Sequence, residues 1–273
     1  MKTLEEIMQM FPYTEKEKWS QHFNGKGWVY ITAKVSPSAF VEGVVFDNAQ
    51  VFGNARVYGD AQVYGDAQVS GDAQVYGDAQ VYGDAWVFGN ARVYGDAWVF
   101  GNAWVFDNAR VSGNAQVSGD AQVYGDAQVY GDAWVSGNAR VSGNARVYGD
   151  ARAFGNARAF GNARVYGDAW VFGDARAFGN ARVYGDAQVY GDAWVFGNAR
   201  VSGNAWKTSP LYIQGSKHSA SNVKYGSIAI GCEVHTFAEW LKHYKAIGKA
   251  AGYNEEQTEE YKAIIDLFVK VGR

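Results

Sequence analysis

Ala61-Gln62-Val63-Tyr64-Gly65-Asp66 is one copy of a six-residue unit that runs without interruption from Gly43 to Asn204. The consensus is Ala-x-Val-(Tyr/Phe/Ser)-Gly-(Asp/Asn), repeated 27 times if a degenerate first copy is counted. A fixed short period has to be read before any other signal, because it decides the fold. Six residues are too few for a helical repeat and fit a strand plus a turn. Along Ala-x-Val-Tyr the side chains alternate, so Ala and Val point to one side while x and the aromatic point to the other. Gly-Asp or Gly-Asn then turns the corner, since glycine accepts positive φ and the Asx side chain bonds nearby backbone. The inward pair is uniform, with Val replaced by Ala only at Ala153, Ala159 and Ala177. Such an interior suits a narrow stacked tube in which each coil pairs with the coils above and below. A single coil cannot bury its apolar side; stacking does.

This spacing resembles the hexapeptide-repeat, left-handed parallel β-helix superfamily. Val63 stands at that family's inward aliphatic position and Ala61 at its small inward position. The resemblance spans about 60% of the chain and implies a left hand, a triangular section and three hexads per coil. The expected fold is therefore an all-β repeat of about nine coils, a prism roughly 40 Å long at ~4.8 Å per coil. One departure stands out. The residue after the inward aliphatic is usually small in the family, but here it is Tyr or Phe in 21 copies and Ser in six.

With three hexads per coil, positions 18 apart share a face. One face gathers Arg56, Arg92, Arg146, Arg164 and Arg182 beside Tyr58, Tyr94, Tyr148, Tyr166 and Tyr184. This Arg/Tyr face is the candidate ligand surface, because arginines pair with phosphate or carboxylate and the phenol rings offer stacking. A second face gathers Trp86, Phe88, Trp104, Phe106, Phe160, Phe178, Trp194 and Phe196, the candidate self-association surface. On the third, Trp98, Trp134, Trp170 and Trp206 recur every second coil.

The flanks break the repeat and divide the chain into an N-terminal cap (1–32), the β-helix (33–206), closing strands (207–235) and a helical hairpin (236–273). Leu4, Ile7, Met8 and Phe11 have helical spacing and suit a cover for the open end of the coil, whose unpaired strand edge invites aggregation. Leu211-Tyr212-Ile213 and Ser227-Ile228-Ala229-Ile230 suit short strands. Thr236-Phe237-Ala238-Glu239 is a capping box at the start of one helix, which ends at Gly252, and Asn254 opens another. The stretch Gly231–Leu241 also resembles the ends of uncharacterised phage and prophage hexapeptide-repeat proteins, which implies a phage-related origin and names no activity.

Composition narrows the function by exclusion. A net charge of −3 over 273 residues, with 48% hydrophobic residues, points to a soluble folded chain. The single cysteine, Cys232, allows no internal disulfide. Residues 1–6 carry no signal-peptide character, and no run reaches membrane-spanning length. The expectation is the cytoplasm of a bacterial host. Hexapeptide acyltransferases use a histidine near a loop leaving the coil. Here His22, His218, His235 and His243 all lie outside the repeat, and no loop is extruded. The related zinc hydratases need converging imidazoles, which the coils lack. The Asp and Asn columns are read as turn caps, since calcium β-rolls use a nine-residue period. In the Arg/Tyr columns the arginines are expected to offset carboxylate repulsion at the corners. Ice-binding surfaces rely on threonine ladders, and the repeat contains no threonine. DNA mimicry needs a dense negative surface, whereas 16 Asp here face 11 Arg.

No catalytic residue, metal ligand or cofactor is therefore assigned. The expected role is a non-catalytic scaffold or binding protein that forms homo-oligomers through its exposed aromatic ladders. The alternative is a phage-type sequestering protein holding an anionic nucleotide or a host protein on the Arg/Tyr face. A degenerate acyltransferase is a distant third. No membrane or nucleic-acid partner is expected.

Overall fold

The computed structural model describes residues 2–203 and 205–272. The repeat forms a parallel β-solenoid whose three long sheets run along its axis. Val63 pairs with Val81 and Val81 with Val99, so residues 18 apart lie directly opposite each other and three hexads make one coil. The hexads supply nine turns. A further turn comes from Trp28–Tyr30, Lys34–Val35 and Phe40–Val41, which pair in parallel with the first repeat strands although they lack the consensus. Two of the sheets therefore contain 10 strands.

The alternation expected from the consensus is what fills the tube. Every repeat Ala and Val from Ala49 to Val201 is buried in one continuous core, and the three Ala replacements stay inside with it. Each fully buried valine side chain is worth roughly 1.5–3 kcal/mol of transfer free energy. The corners are glycines in the left-handed region, such as Gly131 at φ 74°. Asp47 and Asp107 take the glycine position at φ 55° and 58°. Each also accepts a backbone bond from the next coil, Gly65 N–H to Asp47 and Gly125 N–H to Asp107. Beside the corners, Asn amides donate to the Asx oxygen one coil on, as Asn102 does to Asp120 at 2.9 Å and Asn114 to Asp132 at 2.8 Å. The Asx columns thus hold coil to coil.

Outward rings stack along the axis with little rotation. Phe88 and Phe106 have centroids 4.9 Å apart and planes 1° apart; Tyr58 and Tyr76 are at 5.0 Å and 3°. Ordinary sheets rotate by about 20–25° per strand. This solenoid is close to untwisted, and its faces are flat.

Non-repeat segments flank both ends, and at the N-terminus the expected helix lies against an outer face and not over the open end of the coil. At the N-terminal end, Trp19–Gln21 adds an antiparallel strand to Trp28–Tyr30, which pairs one sheet edge. Helix α1 (Leu4–Met10), with its Thr3/Glu6 capping box, packs Ile7 and Phe11 on the outer side of Val44 and Phe46. At the C-terminal end the tube closes with a register change. Trp206, expected to point outward in line with Trp170, points inward and is 2% exposed. The cause is a slip of one residue: Ala205 pairs with Gln188 and Trp206 with Val189. Beyond it lies a four-stranded antiparallel sheet, Tyr212–Gln214, Ser219–Lys224, Ser227–Ile230 and Glu233–Thr236. Two of these strands match the sequence expectation. The hairpin α2 (Phe237–Ala250) and α3 (Glu255–Val271) packs on that sheet through Trp240, Ile265 and Phe268, and each helix opens with a capping box.

Candidate interaction faces

The Arg/Tyr face carries two tyrosine stacks. Tyr58, Tyr76 and Tyr94 form one, Tyr130, Tyr148, Tyr166 and Tyr184 the other, with neighbouring centroids 4.8–5.3 Å apart. Ser112 interrupts them. Partial burial raises the phenol pKa of Tyr76, Tyr130 and Tyr166, neighbouring phenols add to the rise, and nearby arginines oppose it. Alongside, Arg92 pairs in register with Arg110, and Arg146, Arg164, Arg182 and Arg200 follow one another on successive coils.

Among the described residues, none of these guanidinium groups forms a direct ion pair with a carboxylate; Asp60 is paired with Lys2 instead. Any compensation between arginine and corner aspartate therefore acts across solvent. At the N-terminal end of this face, Arg56 and Tyr58 line a polar groove of about 620 Å³ together with Asn24, Glu42, Asn54 and Asp72.

On the Phe/Trp face the two ring types separate. Phe88, Phe106, Phe160, Phe178 and Phe196 are half-buried and form two stacks, Phe88 with Phe106 and Phe160 with Phe178 and Phe196. Trp86, Trp104 and Trp194 stand outside at 39%, 38% and 43% exposure. Trp86 and Trp104 stack on each other at 5.3 Å, and Trp104 leans its edge on Phe88. Rings in the x slot stand at the surface, edge-on to the ladder, whereas those in the other outward slot are shielded within it. The same face bears Arg140, Arg158 and Arg176 on successive coils. The sequence reading passed over them, although the same spacing of 18 would have found them.

The third face presents Trp98 and Trp134, exposed, and Trp170, half-buried. Arg152 lies between Trp134 and Trp170, 5.9 and 5.1 Å from their ring centroids. On the Phe/Trp face Arg176 lies 4.9 Å from Trp194. Arginine over indole is thus a contact this surface makes repeatedly.

Outside the solenoid, a cavity of about 410 Å³ lies between the closing sheet and the hairpin, lined by Trp240, Tyr244, Ile247 and Tyr261, with His218, Cys232 and His235 among its polar groups. His218 Nδ1 is 2.7 Å from the Tyr253 hydroxyl. Burial pushes the Tyr253 phenol pKa up, and Tyr261 adds to the rise. Among the described residues no group of three His, Cys, Asp or Glu side chains is placed to hold a metal ion.

Ten stretches of the repeat match the family model described as YdcK Beta solenoid repeat: residues 49–65, 61–77, 67–83, 85–101, 103–119, 121–137, 127–143, 139–155, 175–191 and 187–203. The chain is a repeat β-solenoid. A comparison with curated proteins finds no match. Among the described residues no helix is long and apolar enough to cross a membrane.

Proposed function

We propose that this solenoid is a non-catalytic scaffold that self-associates through its exposed tryptophans. The observation that carries the reading is the set of outward indoles on two flat faces. Trp86, Trp98, Trp104, Trp134 and Trp194 are each 38–43% exposed, and their slots elsewhere hold Gln or Arg. Trp86 and Trp104 adjoin on one face, and exposed apolar surface of this kind marks an interaction site. The repetition supports a structural role, because every coil offers the same few side chains and no single reactive group. Sedimentation of the wild type and of a Trp86→Gln/Trp104→Gln/Trp194→Gln variant tests it. The wild type should sediment as a multimer and the variant as a 29.8 kDa monomer. A wild type that remains monomeric at tens of micromolar overturns the reading.

A second reading, capture of an anionic ligand on the Arg/Tyr face, is favoured by one observation: its arginines run beside stacked phenols and, among the described residues, have no carboxylate within ion-pair distance. Changing Arg92, Arg146 and Arg164 to Gln should then abolish a salt-sensitive affinity for a nucleoside triphosphate while leaving the fold intact. Unchanged affinity would count against this face. Membership of the hexapeptide-repeat superfamily, with its left-handed coil, is supported by Val63 and Ala61 standing at that family's inward positions. The phage-related origin is supported by the likeness of residues 231–241, and the cytoplasm of a bacterial host is the compartment that fits both.

A further inference from the structure

Charge is distributed unevenly along the solenoid. Residues 43–139 hold three arginines and eleven aspartates, while residues 140–204 hold eight arginines and five aspartates. One half is strongly acidic and the other mildly basic. The Phe/Trp face repeats this division in its outermost slots. Proceeding along the axis they read Gln50, Gln68, Trp86, Trp104, Gln122, Arg140, Arg158, Arg176, Trp194, each paired in register with the next. The adjoining indoles Trp86 and Trp104 lie in the acidic half and the three arginines in the basic half, with Trp194 beyond them at the far end.

We infer that the Phe/Trp face is a self-complementary interface, and that two copies of this chain pack on it side by side with their axes antiparallel. The inference rests on the self-association reading above and assigns its geometry. Two flat faces can meet about a two-fold axis that runs along the strands. Such an axis reverses the solenoid direction and brings x slots opposite x slots. With Gln122 on the axis, equal coil spacing places Trp104 against Arg140 of the second copy and Trp86 against its Arg158. Gln68 then meets Arg176, and Gln50 meets Trp194. Each dimer has two equivalent Trp/Arg patches. The contact is the one the chain already makes internally at Arg152 and Arg176, and it is stronger where water is excluded.

The antiparallel arrangement also sets the acidic half of one copy beside the basic half of the other. Parallel packing would set like against like. Nine overlapping strands at ~4.8 Å by four extended residues at ~3.3 Å give a footprint of roughly 600 Å² before corner side chains are added. A stable interface buries about 800 Å² per partner.

Complementation tests the arrangement with two variants that use the protein's own alternative residue, Gln: Trp86→Gln/Trp104→Gln and Arg140→Gln/Arg158→Gln. Each should keep the wild-type circular dichroism spectrum and weaken self-association at least tenfold. An equimolar mixture should form heterodimers more tightly than either variant pairs with itself, because one Trp/Arg patch is restored. If the arginine variant dimerises as well as wild type while the tryptophan variant does not, this geometry is wrong and the self-association reading stands. If neither variant changes the assembly, both fail.

A nitroxide on Cys232, the single and exposed cysteine, gives an independent readout by electron-electron dipolar spectroscopy. Antiparallel copies place the two labels about 40 Å or more apart, on the scale of ten strands at ~4.8 Å. A short inter-label distance would identify parallel packing and overturn the proposal.

Discussion

The backbone N–H of Arg200 donates to the Ser221 hydroxyl across 3.3 Å. Arg200 belongs to the last strand of its sheet, where no further coil supplies carbonyl acceptors. The same solution recurs around the end of the tube: Trp194 N–H donates to the Ser209 hydroxyl at 2.9 Å, and Asn198 N–H to the Tyr212 hydroxyl at 3.4 Å. Side-chain oxygens from residues outside the repeat satisfy the donors that a parallel edge would leave open.

Removing these acceptors should loosen the end without touching the middle. Ser209→Ala with Ser221→Ala leaves two backbone donors without protein partners, at about 1 kcal/mol each. Amide hydrogen exchange should accelerate at Trp194 and Arg200 and stay unchanged at Val117. Trp206→Ala, which empties the inward plug, should act on the same coil and cost roughly 3–5 kcal/mol. Uniform acceleration along the whole solenoid would show that the end does not open separately.

Two corner glycines separate backbone strain from crowding between coils. A Cβ on Gly131 would lie 3.0 Å from the backbone nitrogen of Gly149, at φ 74°. A Cβ on Gly185, at φ 58°, would have nothing within 4 Å. Gly185→Ala should therefore cost only the left-handed penalty of about 1–2 kcal/mol, and Gly131→Ala distinctly more. Chemical denaturation of the two variants checks this, and equal losses would contradict it.

Whole coils should be removable. Deleting Ala121 through Asn138 returns each later strand to its own face with its inward residues still inward, so the variant should fold and melt within about 5 °C of wild type. Deleting Ala121 through Gly137 leaves one residue too many and exchanges the inward and outward sides of everything downstream. That variant should be protease-sensitive and melt without a sharp transition. Similar melts for the two would contradict the register.

Tyr64 supplies a pH prediction. Its ring stacks between Phe46 and Tyr82, and burial, followed by Tyr82, Tyr13 and Asp47, raises its pKa to about 12 from the ordinary 10. A phenol held protonated by the fold contributes fully below pH 10. As pH rises towards 12 the unfolded chain ionises first, so that contribution is lost across this window. Thermal melts should decline between pH 10 and pH 12, and Tyr64→Phe should decline less steeply. A parallel decline would assign the effect to the other tyrosines.

Most of the solenoid was legible in the repeat because its chemistry is local. Ala and Val must turn inward, glycine must turn the corner, and the spacing of 18 lays out the faces. Thr236, Glu239 and Asn254 likewise announced their helices. Trp206 was misplaced because the slip that buries it occurs where the consensus stops, and periodicity carries no information there. Ser209, Tyr212 and Ser221 were silent for a related reason, since they act only through partners brought together by the closing sheet. The exposed indoles and the stacked phenylalanines looked alike in sequence. Their difference depends on which of two outward slots the ladder shields.

The near-absence of twist has a genetic consequence. Successive coils are related almost by translation alone, as the 1° between the Phe88 and Phe106 rings records. Unequal crossing-over that adds or drops the codons for one coil therefore alters reach without altering which residues look in which direction. Selection on span is uncoupled from selection on surface. Lineages carrying this gene should differ in length by whole coils, in steps of about 4.8 Å, as a measuring rod is cut.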